Sequence, residues 1–235
     1  MDDIIAELRL RPRPTSDRPL MGLTVLVVED SRYASEALRL LCLRSGARIR
    51  RADCLLSARR HLNVYRPSVA IVDLGLPDGS GAELVAEMNL TLPRVPIILG
   101  TSGADPDEAE ATALAAGADG FLPKPLETLG AFQVAILAHL PPELRPGGLR
   151  SITSDRVKPD RTAFREDLVH AMDLLRLDPP PVPYLSRFLV GVARAVQDSG
   201  LEDRAVAMNQ RFAPPDHADL RAFLSHKLQQ MEAAL

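Results

Sequence analysis

From Leu23 to Leu140 the chain alternates between two rhythms of apolar residues. Short unbroken runs, such as Val25-Leu26-Val27-Val28, Val69-Ala70-Ile71-Val72 and Ile97-Ile98-Leu99, have the pattern of strands buried on both faces. Between them lie longer stretches whose apolar residues recur every three or four positions, as on one face of a helix. Strands are predicted over 24–29, 48–52, 68–73, 95–100 and 119–122, and helices over 32–44, 54–64, 81–89, 106–116 and 127–139. Five such βα units imply an α/β domain, a doubly wound parallel sheet over 21–140. The stretch Pro141-Pro142-Glu143-Leu144-Arg145-Pro146-Gly147-Gly148 cannot continue a helix and opens a linker over 141–158.

After the linker only the helical rhythm remains. Asp160 is placed to cap a helix running to about Leu177, with Phe164, Leu168, Met172 and Leu175 on one face. Asp178-Pro179-Pro180-Pro181 stops it. A second helix from about Pro183 to Asp198 carries Leu185, Phe188, Leu189, Val192 and Val196. A third is expected over Glu202 to Phe212. A last one opens at Pro214-Pro215-Asp216, with Leu220, Phe223, Leu224, Leu228, Met231 and Leu235 inward. The region 159–235 is therefore expected to be a small all-α domain. Residues 1–20, with a short helix from Ile4 to Leu10 followed by Pro12, Pro14 and Pro19, are expected to form an arm.

The strand ends carry the chemistry. Glu29 and Asp30 follow the first run, Asp73 closes the third, and Lys124 follows Gly120-Phe121-Leu122-Pro123. In a parallel sheet these groups converge at the carboxyl edge, where ligands bind in open α/β folds. Carboxylates there can hold a hard divalent cation, one of them can act as a nucleophile, and the ammonium can neutralise a transferred phosphoryl group. Glu29 and Asp30 alone could merely suit the start of the next helix. That leaves Asp73, Thr101 and Lys124 at three other strand ends unexplained.

Four motifs in order extend the argument: Val27-Val28-Glu29-Asp30-Ser31, Val72-Asp73-Leu74-Gly75-Leu76-Pro77-Asp78-Gly79-Ser80-Gly81, Pro96-Ile97-Ile98-Leu99-Gly100-Thr101-Ser102 and Gly117-Ala118-Asp119-Gly120-Phe121-Leu122-Pro123-Lys124-Pro125. With them, Leu23–Leu140 resembles the receiver domain of two-component response regulators. The resemblance implies a flavodoxin-like sheet of order 2-1-3-4-5 and a phosphoacceptor at Asp73. It implies Mg²⁺ held by Asp30, Asp73 and the backbone carbonyl of Gly75, with Glu29 acting through water. Thr101 is implied as the hydroxyl switch, Phe121 as the aromatic residue that follows it, Lys124 as the phosphoryl partner, and Pro125 as following a cis bond. The implied phosphodonor is a sensor histidine kinase or a histidine phosphotransfer protein, and the chain is a bacterial, cytoplasmic switch rather than an enzyme. A homodimer is expected, through the face of helices 106–116 and 127–139 or through the tail.

Composition narrows the alternatives. A hydrophobic fraction of 46% with 25% charged residues suits a soluble globular protein, and a net charge of -3 gives no global field toward nucleic acid or membrane. Of the 28 basic residues only Lys124, Lys158 and Lys227 are lysine. An arginine-rich chain thus keeps a compact ammonium where the phosphoryl partner is expected. Cys42 and Cys54 lack metal-ligand spacing and read as small buried residues of a reducing compartment.

The tail is less explicit. Its 11 basic and 12 acidic residues from Ser151 to Leu235 leave no footprint for DNA, so a docking or dimerisation module with an unknown protein partner is expected. Two other readings remain open: a DNA-binding output of unfamiliar form, and a phosphorelay intermediate using His170. The latter lacks the Lys-Gly pair of helical phosphotransfer domains, because Asp173-Leu174 stands there.

Overall fold

A computed structural model describes residues 13–126, 128–147, 154–208 and 217–233. The proposed helix over Ile4–Leu10 lies outside them. Strands β1 (Thr24–Val28), β2 (Arg48–Ala52), β3 (Val69–Asp73), β4 (Ile97–Ser102) and β5 (Gly120–Pro123) form one parallel sheet in the order β2-β1-β3-β4-β5. Alternate residues of the runs enter different cores. Val25, Val27, Val69 and Ile71 pack with helices α1 (Arg32–Arg44) and α5 (Leu129–His139). Leu26, Val28, Ala70 and Val72 pack with α2 (Leu55–Val64) and α3 (Gly81–Leu90) on the opposite face. Helix α4 (Pro106–Ala115) completes the doubly wound domain and is capped by Asp105, whose Oδ1 accepts from Glu108 N. The exposed edge is β2, with the sequence Arg-Ile-Arg-Arg-Ala, whereas β1 and β3, inside the sheet, each carry four consecutive apolar residues.

Both flanks of this domain extend beyond the sequence boundaries. Leu20, placed at the end of the arm, is fully buried in the α1–α5 core, and its N–H donates to Ser45 O. Val157, placed in the linker, enters the same core, while Leu129 N donates to Asp155 O. Apolar side chains there cover sheet-side surface that the helices alone leave open.

The second body consists of α6 (Arg161–Leu174), α7 (Val182–Val196), α8 (Ser199–Ala207) and α9 (His217–Glu232). Its third helix begins at Ser199 rather than near Glu202, because Asp198 caps it by accepting from Leu201 N. Gln197, in the left-handed region at φ 58°, makes the sharp turn out of α7. Leu168, Leu175, Leu185, Phe188, Leu189, Val192, Leu201, Leu220 and Leu224 share one apolar core. No helix among the described residues is long and apolar enough to cross a membrane.

Candidate phosphoacceptor site

At the carboxyl edge of the sheet the strand ends meet, in the crevice where the strand order reverses between β1 and β3. Asp73 Oδ2 accepts a 2.7 Å hydrogen bond from Lys124 Nζ, and Asp73 Oδ1 accepts from Gly75 N at 3.1 Å. Lys124 also lies 2.6 Å from Glu29 Oε2. Burial works against the lysine's charge, yet Asp73 and Glu29 hold its pKa above that of an ordinary lysine. The Lys124–Pro125 bond is cis, as the resemblance implied.

Carboxylate oxygens of Glu29, Asp30 and Asp73 all lie within 4.8 Å of one another. Burial pushes the Glu29 carboxyl well above its usual range, against the pull of Lys124. Burial and then repulsion from Asp73 push Asp30 up to about 7. Three acids against one ammonium leave an excess of negative charge in hard oxygen donors. The Lys124 ammonium pairs with both Glu29 Oε2 and Asp73 Oδ2. That donor set suits a small hard cation such as Mg²⁺, which binds through one or two carboxylates and keeps several waters.

Local sequence builds the frame. A Cβ on Gly81 would fall 1.9 Å from Asp73 O, so only glycine lets α3 start against the Asp73 carbonyl. Asp78 accepts from Leu55 N and Leu56 N, at 2.8 and 3.0 Å, tying the loop after β3 to the start of α2. Thr101 is the register partner of Asp73 across β3 and β4. Its fully buried hydroxyl donates to Leu122 O at 2.7 Å rather than to the Asp73 carboxylate. Half-buried Phe121 lies on the neighbouring strand against Gly100. Cys42 is buried, but Cys54 is only partly so, and its Sγ accepts from Ser57 N as the cap of α2.

Sequence reasoning missed the residues that close this site from above. Tyr184, on α7, donates from its hydroxyl to Asp30 Oδ2 at 2.5 Å. Burial and then the Asp30 charge raise the phenol's pKa. Asp167, on α6 and 1% exposed, accepts from Ser31 Oγ at 2.7 Å, Arg32 N at 2.6 Å and Tyr33 N at 3.1 Å, at the start of α1. Arg194 donates to Gly103 O. Glu29, Asp30, Asp73, Gly75, Gly103 and Lys124 line a cavity of about 120 Å³ together with Ser186, Arg187 and Gly191 of α7. The only available sequence signal was a carboxylate and a phenol beside the apolar stripes of two helices. His170 lies instead in an adjoining cleft, with its ring edge-on to Phe188 at 5.4 Å.

Known proteins resemble one half of this chain. Residues 25–132 match the family model described as response regulator receiver domain. The chain is 33% identical over 118 residues to the KDP operon transcriptional regulatory protein KdpE of Escherichia coli K12, covering 49% of this chain and 52% of that protein. It is 35% identical over 102 residues to the transcriptional regulatory protein PhoP of Escherichia coli O157:H7, covering 43% and 45%. The chain thus matches about half the length of these relatives. A putative response regulator of Chloroflexus aurantiacus superposes with a TM-score of 0.46 and 28% identity, over 49% of this chain and 98% of that one. The doubly wound half of this chain, with its converging acids and lysine, is a response regulator receiver domain.

Proposed function

We propose that Asp73 accepts a phosphoryl group from a sensor histidine kinase or histidine phosphotransfer protein, and that this modification switches the interactions of the helical module. The observation that carries the reading is Asp73 Oδ2 at 2.7 Å from Lys124 Nζ, beside the acid pair of β1. In the transfer, the bond from phosphorus to Asp73 Oδ forms as the bond to the donor's histidine nitrogen breaks, and that nitrogen keeps the electron pair. Glu29, Asp30, Asp73 and the Gly75 carbonyl would hold Mg²⁺, which supplies charge neutralisation for the phosphoryl oxygens. Lys124 neutralises the same oxygens from the other side. Thr101 would exchange Leu122 O for a phosphoryl oxygen, and Phe121 would follow it. The chain thereby acts as a switch and not as a turnover enzyme.

A cytoplasmic bacterial setting follows from such a donor. Leu114 and Val134, exposed on α4 and α5, support a homodimer through that face. The relatives' names speak of transcription, but they match less than half of this chain, and the family model covers residues 25–132. The charge balance of the tail favours a protein partner over DNA. Binding that weakens steeply with added salt would reverse that preference.

The test is incubation with phosphoramidate and Mg²⁺, followed by mass analysis of hydroxylamine-labile label. One phosphoryl group on the wild type and none on Asp73→Asn is expected. Label that persists in the variant would overturn the assignment.

A further inference from the structure

The helical module touches the receiver where phosphorylation chemistry would occur. Its three named ties go to two loops of the site. Tyr184 bonds to Asp30 after β1, Asp167 bonds to Ser31 and the first amides of α1, and Arg194 bonds to Gly103 O after β4. The backbones meet closely as well, since a Cβ on Gly103 would lie 3.0 Å from Gly191 Cα of α7. Asp167 is buried, and the three groups that donate to it are a hydroxyl and two backbone amides. Its charge is satisfied by donors that belong to the receiver, including the amides of a helix N-terminus. This carboxylate has its partners only when the module is docked.

We propose that the module is a lid on the phosphoacceptor site, and that docking of the lid and cation loading at Asp30 exclude each other. The inference rests on the phosphoacceptor reading above and adds its regulation. Mg²⁺ demands near-octahedral oxygen ligands and retains waters around it. The Tyr184 phenol stands at Asp30 Oδ2, on the wall those waters would occupy. Arg187 and Gly191 line the cavity over Asp73, so the lid also stands across the approach of a donor's imidazole. Coupling of this kind is reciprocal: whatever factor docking removes from cation affinity, the cation removes from docking.

Calorimetric titration of the full chain with MgCl₂, beside Tyr184→Phe and Asp167→Ala, tests the lid. Asp167→Ala releases it without touching Asp30, so both variants should bind Mg²⁺ about tenfold more tightly than the wild type. In the wild type, saturating Mg²⁺ should speed hydrogen exchange at the Arg32 and Tyr33 amides. Equal Mg²⁺ affinity in all three chains, with unchanged exchange, would sink the lid and leave the phosphoacceptor standing. A gain in Tyr184→Phe alone would also sink it, because the hydroxyl would then act only locally on Asp30. No Mg²⁺ binding by any chain would remove the cation site and the lid together.

Discussion

The two halves of this chain bury charge in opposite ways. In the receiver, Glu29, Asp73 and Lys124 are buried together, each within reach of another, and their strands converge within one domain. In the helical half Asp167 is just as deeply buried, yet its hydrogen-bond partners Ser31, Arg32 and Tyr33 belong to the other half. An ionised group placed in a core without a partner costs several kcal/mol, so each burial has to be compensated. Compensation inside a domain marks a site. Compensation across a domain boundary marks a docking surface, and here the two adjoin at Ser31 and Asp30.

Replacing Asp73 by Asn breaks the receiver side of the comparison completely. Phosphoryl incorporation should vanish, while the helical half keeps its thermal transition in calorimetry. Gly81→Ala comes next, since its Cβ would overlap the Asp73 carbonyl oxygen. A loss of roughly 4 kcal/mol from the receiver is expected in denaturant unfolding, with no direct effect on the apolar core of α6–α9.

Acidity sharpens the contrast at a smaller scale. The Asp30 carboxyl, pushed up to about 7 by burial and by Asp73, must be ionised to bind a cation. Mg²⁺ affinity should therefore be flat above about pH 7 and fall toward about tenfold per pH unit below it. A calorimetric series from pH 5.5 to about 8.5, as an order-of-magnitude window around that value, reads the effect. A flat profile would mean that Asp30 stays ionised across that window or is not a ligand. The smallest change expected is Gly103→Val, whose added methyls press on Gly191 across the boundary. It should raise amide exchange at Arg32 and Tyr33 severalfold, about 1 kcal/mol of docking, and leave receiver stability almost unchanged.

The receiver was legible because its chemistry sits at strand ends. Once the apolar runs are recognised as parallel strands, Glu29, Asp30, Asp73 and Lys124 must share an edge, whatever the loops do. Thr101 shows how far such reasoning reaches. Its position in register with Asp73 was readable, but its hydrogen bond to Leu122 O depends on a rotamer that sequence does not encode. The boundaries were less legible for a related reason. Leu20 and Val157 lie in proline-bearing stretches without periodicity, and only the shape of the core shows that they fill it. Asp167 and Tyr184 carried almost no signal, since a polar residue beside an apolar stripe commonly faces water.

By itself the sequence determined the order of strands and helices, the edge on which the charged residues gather and the chemistry those residue types allow. Periodicity and strand polarity are local properties, and local spacing suffices to set them. Tertiary structure alone decided that the helical half closes over that edge. Ser31 and Asp167 are 136 residues apart, and Asp30 and Tyr184 are 154 apart. No pattern within either segment names its partner. The pairing emerges only when two separately folded surfaces must satisfy each other's buried donors and acceptors.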